Sequence, residues 1–393
     1  MIKTLNEARV WTVVPGVQVR VITYEPRTGW SSELPRELDG PRTLVLVFFA
    51  PRYIDEPAAL RAVAEAFPSS IVSGCSTAGE IVGDRVFDDS IVVSVVRFDS
   101  VTLSPARVAV GDADSFAAGR ELARQLDSSD LRAVFVLSRG TQINGTGLVR
   151  GLRESLPQQV TIAGGMAGDG ERFGRTAVFD GAAGLLREHA LAIGLSGAAL
   201  RVGCGSKGGW DVFGLDRRIT RSEGNLVLEL DGRPALDLYR QYLGDRAAGL
   251  PAAALLFPLA IRADRDQRRL VRSVLGIDEE RRALRFAAEM PPGWLAQMMR
   301  ANLDRLVLGA SDAAAEAAIG AAGAASLSVA ISCVGRRIVL GQRTDEEVEA
   351  TLEALPPGSV QVGFYSYGEI GPHGLGRSEF HNQTMTFTTL AEA

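Results

Sequence analysis

The residues able to do chemistry collect at three glycine-broken turns. The first holds Cys75, Ser76, Thr77 and Glu80, the second Met166 and Asp169, and the third Tyr365, Ser366, Tyr367 and Glu369. Gly74-Cys75-Ser76-Thr77-Ala78 approaches the nucleophile elbow G-x-S-x-G, which would offer Ser76 for acyl or amide chemistry with a late base such as His381. An elbow needs a helix after the serine, and another Gly-Glu turn follows instead. Cys75 could act as a nucleophilic or redox thiol, but no cation adjoins it to favour the thiolate, and cysteine beside a strand is commonly a small buried hydrophobe. Glu80 and Glu369 stand at equivalent offsets. They could form an acid–base pair, though one glutamate capping each repeat's turn is the simpler account.

The histidines are His189, His373 and His381, and no two have the spacing of zinc ligands. One histidine suffices as a proximal ligand of haem b. His381, in a polar cluster with Asn382, Gln383 and Thr384, stands ahead of His189 for that role; His373, in a Gly-rich loop, is expected at the surface. Gly203-Cys204-Gly205-Ser206-Lys207-Gly208 matches G-x-G-x-x-G, but the aromatic stretch after it does not read as the helix a dinucleotide site requires, and no P-loop occurs.

The turns belong to a repeated unit. Gly74 corresponds to Gly363, and Gly79-Glu80-Ile81 to Gly368-Glu369-Ile370; a weaker copy runs from Ile162 to Leu195. Thr43 to Phe49 reads as a strand buried on both faces, Pro57 to Phe67 as a helix, and Ile71 to Ser73 and Ser90 to Arg97 as strands. The pattern restarts with a helix over Asp114 to Leu126, a strand over Ala133 to Leu137, a helix over Gly147 to Leu156 and a strand from Val160 to Ala163. The interval is kept, 43 to 133 and 74 to 164. Alternating strands and helices predict an α/β fold. Pairs such as Ala177 to Phe179 with Ala190 to Leu195 predict mixed β-sheets layered with helices. Further on come a strand from Leu226 to an Asp-Gly turn, a helix over Ala235 to Leu243, strands over Ala253 to Ile261 and Leu270 to Gly276, and an amphipathic stretch over Trp294 to Leu308. An Ala-rich helix, a strand over Ser326 to Cys333, a helix over Asp345 to Leu355 and the closing unit complete the chain. The expected organisation is an N-terminal extension over 1–40 and two closely packed lobes, 41–220 and 221–393.

Composition narrows the function class. A net charge of −5 gives no basic footprint for nucleic acid. Three cysteines far apart make no disulfide framework, which suits a reducing compartment. Glu7 and Arg9 interrupt any signal-peptide core, and the uncharged stretch Ala317 to Val334 is too rich in Ala, Gly and Ser for a spanning helix. The expectation is a soluble cytoplasmic protein with no membrane insertion.

GCSTAGEI in the first unit, with FYSYGEIGPHG and FHNQTMTFTTL in the last, resembles the N- and C-terminal signatures of FIST-domain proteins. GNLVLELDGRPALDLYRQYLG from Gly224 and ISCVGRRIVLGQRTDEE from Ile331 extend the likeness, which runs from about Arg42 to Leu390. The resemblance implies a sensory module that binds a small ligand, such as an amino acid, and signals through a partner protein. Some members of stand-alone layout are haem-based nitric oxide sensors that work with a histidine kinase. On that footing the expected ligand-binding residues are Cys75, Thr77, Glu80, Met166, Asp169, Tyr365, Tyr367, Glu369, His381 and Asn382, with self-association left open. The competing class is a hydrolase or acyltransferase using Ser76 or Cys75 with His381.

Overall fold

The runs TLVLVFF (Thr43–Phe49), AVFVLS (within Leu131–Ser138) and SLSVAISC (Ser326–Cys333) carry no charge, so each is stable only with both faces covered. In the structure, a computed structural model, each is the central strand of its own mixed sheet. Residues 17–111, 114–126, 129–265, 269–319, 325–372 and 376–392 are described.

Three units repeat one plan: an edge strand, the central strand, a turn strand parallel to it, a hairpin, and a closing strand antiparallel to the central one. In the first unit these are Val17–Glu25, Thr43–Phe49, Ile71–Ser76, Glu80–Val82 with Arg85–Phe87, and Ile91–Phe98. In the second they are Thr102–Ala109, Leu131–Ser138, Thr161–Met166, Val178–Asp180 with Gly184–Leu186, and His189–Ser196. In the third they are Leu200–Lys207, Ser326–Cys333, Ser359–Ser366, Glu369–Pro372 with Ser378–His381, and Met385–Glu392. Helices such as Ala58–Ala66, Gly145–Ser155 and Thr344–Ala354 cross from central to turn strand. Asn144 and Asn302 cap the starts of Gly145–Ser155 and Leu303–Ala317 with side-chain oxygens.

No unit keeps its own hairpin. The second unit's hairpin pairs with the first unit's turn strand, the third's with the second's, and the first's with the third's. The exchange closes a ring of three sheets whose inner faces share a core. There the Phe48 and Phe364 rings lie 4.7 Å apart. It also corrects one expected pairing: Val178–Asp180 pairs with Ser73 to Cys75, while His189–Ser196 pairs with its own unit. Each turn strand carries a glycine against its central strand. A Cβ on Gly74, Gly164 or Gly363 would stand 2.1, 1.9 or 1.8 Å from a central-strand carbonyl oxygen, so no other residue fits the approach.

Between the third unit's edge strand and the helix Leu303–Ala317, the chain forms an eight-stranded antiparallel sheet. Its outermost strands, Leu270–Arg272 and Val274–Asp278, are joined directly through Ser273, so the sheet curls into a barrel. Ile219, Leu236, Tyr239, Phe286 and Met290 fill it. Two expectations change here. Ala252–Leu256 is a 3-10 turn and the strand is Leu259–Arg262, because Pro258 separates them. Trp294 to Leu308 divides into the strand Leu295–Arg300 and the start of the helix capped by Asn302. The Ala-rich helix is Leu303–Ala317, and 320–324 lie outside the described residues, as does His373. The weakly patterned first 40 residues contain a regular strand, Val17–Glu25, paired along the first closing strand.

Candidate functional site

Each hairpin crosses to its neighbour at its own glycine turn, so the three turns meet. Ala78 N–H donates to Tyr365 O and Tyr365 N–H to Gly79 O, both at 2.8 Å. Met166 N–H donates to Gly368 O and Gly168 N–H to Ser76 O, also at 2.8 Å. The first turn touches the third, the third the second, and the second the first. Cys75, Thr77, Glu80, Met166, Asp169, Tyr365, Tyr367 and Glu369 are thereby gathered, all buried.

The two glutamates have matching partners. Glu80 Oε2 accepts from Ser90 N at 3.2 Å and Ser90 Oγ at 2.6 Å, and Oε1 bonds the Thr77 hydroxyl. Glu369 Oε2 accepts from Thr384 N at 3.2 Å and Oγ1 at 2.8 Å, and Oε1 accepts from Ser366 Oγ at 3.0 Å. Each carboxyl ties its own turn to the head of its unit's closing strand. Burial pushes Glu80 up to about 7 and Glu369 up to about 8 against the pull of those hydrogen bonds. In the second turn Asp169 accepts from Gly174 N at 3.0 Å, Arg175 N at 2.6 Å and the Tyr367 hydroxyl. Burial works to raise its pKa, but the Arg175 amide and its other donors outweigh burial and leave it below the ordinary value. Burial and then Asp169 push Tyr367 up. Tyr365 donates to Glu347 at 2.9 Å and is likewise pushed up, by burial first.

Ser76 and Cys75 are both 0% exposed. Ser76 Oγ accepts from Ala177 N–H at 3.1 Å. Cys75 lies among Phe48, Leu137 and Val178, where burial and then the charge of Glu80 push the thiol up, away from a reactive thiolate. Three cavities, of about 510, 420 and 190 Å³, lie along the second unit's helices and beneath the third hairpin, and none is lined by a glycine-turn residue or a histidine.

The histidines decide whether haem suits the chain. His381 is 2% exposed, and its Nε2 sits 2.9 Å from Gly371 O, so that nitrogen is engaged with the main chain and does not fit an iron ligand. His189 is half-buried at the head of its strand, and its Nδ1 has no hydrogen-bond partner. Burial, then Arg107, lowers its pKa, so the ring is neutral at pH 7, as iron ligation requires. Of the two, His189 is the better fit. Among the described residues no group of three or more His, Cys, Asp or Glu could hold a metal ion.

A FIST N domain model matches residues 43–233, and a FIST C domain model matches residues 235–372. The chain belongs to the FIST family. FIST domains are sensory signal-transduction domains that bind small ligands. A search of curated proteins finds no match to this chain. The FIST N match runs from the first central strand through the second unit and the third unit's edge strand to the start of the barrel; the FIST C match takes in the rest of the barrel and the remainder of the third unit as far as Pro372. Hairpin exchange therefore knits the two FIST domains into one core. Among the described residues no helix is long and apolar enough to cross a membrane.

Sequence reasoning missed a buried network beside this FIST core. Arg336 and Glu347 are both 0% exposed, with Arg336 Nε 2.7 Å from Glu347 Oε1 and Nη2 2.9 Å from Leu306 O. Glu347 Oε2 also accepts from Ser332 at 3.1 Å. The signal was a charged pair, Arg336-Arg337, directly after an apolar strand. Asn382 and Gln383 lie in the same region; Gln383 O accepts from Trp210 Nε1 at 2.8 Å.

Proposed function

We propose that this FIST protein senses a small metabolite, an amino acid or a related compound, and passes the signal to a partner protein such as a histidine kinase. The observation that carries this reading over hydrolysis is the state of the candidate nucleophiles. Ser76 Oγ is bonded to the main chain and out of reach of solvent, and Cys75 is inside an apolar core. A nucleophile needs an adjacent base and access to substrate. The test is native mass spectrometry of the purified protein against a metabolite pool, with a parallel ester-hydrolysis assay. A retained metabolite and no turnover support sensing. Turnover that is lost in Ser76→Ala overturns it.

His189 supports a second reading, haem-based nitric oxide sensing, because its neutral ring has an unengaged nitrogen. When bound, haem would supply the iron that takes up nitric oxide. A Soret band at one haem per chain that is lost in His189→Ala but kept in His381→Ala would establish it. Absence of a band after haem supply removes it.

A further inference from the structure

The barrel meets the three-unit core through apolar residues such as Val271, Met299 and Leu306 and through buried polar ones, and several of the polar groups there are left unsatisfied. Arg272 is 2% exposed. Its Nη1 donates to two carbonyls, Val271 O at 3.1 Å and Phe380 O at 3.2 Å, while Nε has no acceptor. Among the described residues no carboxylate pairs with it. The acids whose charge it feels are engaged elsewhere, Glu379 with Arg153 and Glu289 with Asn144. Its neighbour in the barrel differs in having a counter-ion: Arg262, also buried and also with an unpartnered Nε, has Asp216 at 2.7 Å. Two residues beyond Phe380, Asn382 is 1% exposed, and neither Nδ2 nor Oδ1 has a partner. Gln383, 0% exposed, leaves Oε1 unpartnered while Nε2 reaches Leu255 O of the barrel at 3.4 Å. Gln383 also holds a positive φ of 60°, a conformation disfavoured for its type.

A buried guanidinium without an anion is costly, and so is the unpartnered amide that lies two residues along the chain from its carbonyl partner Phe380; apolar residues of the same size would remove the cost. The groups present describe what would satisfy them. The planar fork of Arg272 matches a carboxylate. The Asn382 amide offers one donor face and one acceptor, and Gln383 adds an acceptor, which together suit an amino or hydroxyl group next to that carboxylate.

We propose that Arg272, Asn382 and Gln383 form the binding site for a small carboxylate bearing an adjacent amino or hydroxyl group, at the seam between barrel and core. The proposal rests on the sensory reading and gives it a place and a ligand class. The groups are shielded from solvent, so the ligand enters when the barrel shifts on the core. Thr384, next in the same loop, holds Glu369 in the ring of turns, so occupancy of the seam is felt where the three units meet.

The test uses the full chain, with binding by calorimetry and thermal shift. The probes are L-alanine, L-lactate, propionate and inorganic phosphate, against wild type, Arg272→Gln and Asn382→Leu. Alanine or lactate is expected to bind and raise Tm. Arg272→Gln should weaken that binding about 30-fold or more, the loss for removing one partner of a buried charged contact. Asn382→Leu should abolish the preference for alanine or lactate over propionate. Hydrogen exchange on wild type adds a readout that does not depend on a variant folding: the bound probe should slow exchange over 380–384. Three results overturn the site: no binding by any carboxylate probe, binding by phosphate alone, or unchanged affinity in Arg272→Gln. If a metabolite of another class is retained by wild type and by Arg272→Gln alike, the sensory reading stands and the seam site falls. If nothing from the pool is retained either, both fall.

Discussion

The buried carboxyls of Glu80 and Glu369 make this protein lose stability as pH rises through neutrality. Folded, burial holds them up to about 7 and about 8; unfolded, they return to the ordinary 4.5. Between those values the folded chain keeps protons that the unfolded chain has released, so raising pH favours unfolding. The effect is absent below the unfolded value and complete above the folded one. His189 works in the opposite direction, because burial lowers its pKa below 6.5 and its contribution grows with pH up to that value. The clean window is therefore pH 6.5 to 8. At about 1.4 kcal/mol per unit of pKa difference, Glu369 contributes a loss of about 2 kcal/mol across that window and Glu80 roughly 0.7. Urea unfolding of wild type, Glu80→Gln, Glu369→Gln and the double variant at half-unit steps would measure it. A glutamine at 369 can turn its oxygen to the Thr384 donors and its NH2 to Ser366 Oγ, so the neutral form is mimicked with its contacts kept. Wild type should lose about 3 kcal/mol over the window and the double variant should be flat. A flat wild type, or a double variant with the slope intact, would refute the reasoning and place both carboxyls in their charged forms.

Gly164→Ala, with a positive φ of 141° and a Cβ 1.9 Å from Val136 O, should cost about 2 kcal/mol or more in chemical denaturation, and Gly74→Ala and Gly363→Ala should behave alike. Arg336→Met leaves Glu347 buried and unpaired and should cost roughly 3–5 kcal/mol, most of it recovered when Glu347→Leu is added, as read by calorimetry. Residues 17–197 expressed alone lack the sheet that receives their first hairpin, so by circular dichroism and gel filtration they should be molten or aggregated. Co-expression with 198–393 should restore a single compact species.

What could be read from the sequence was whatever leaves a local mark. Charge-free runs such as Thr43–Phe49 declared buried central strands, and the shared Gly-Glu spacing at 79 and 368 matched two turns before any contact was known. Reading Glu80 and Glu369 as caps also needed only their equivalent offsets. The exchange of hairpins left no such mark. Arg85–Phe87 looks the same whether its partner strand lies in its own unit or in another, because pairing depends on register across space. The barrel was hard for a related reason: apart from Asp211–Glu223 its strands have six residues or fewer, too few positions to establish a period, and the Asn302 cap falls inside the amphipathic stretch Trp294 to Leu308. Arg272 sits in a three-residue strand, where alternation cannot say whether its side chain points in or out.

The ring of exchanged hairpins also sets the order in which a growing chain can finish folding. Val82 finds its partner only when Val362 has been made, so the first unit's hairpin waits for a strand synthesised 280 residues later. Until then the first hairpin and the flank of the second unit's turn strand present open edges, which other chains can pair with. Contacts this distant in sequence predict slow folding. Once the third hairpin docks, the ring has no end from which to fray: opening any one sheet at its exchanged hairpin pulls on the other two. A protein made this way is slow to assemble and slow to come apart, and that persistence keeps the turn ring fixed.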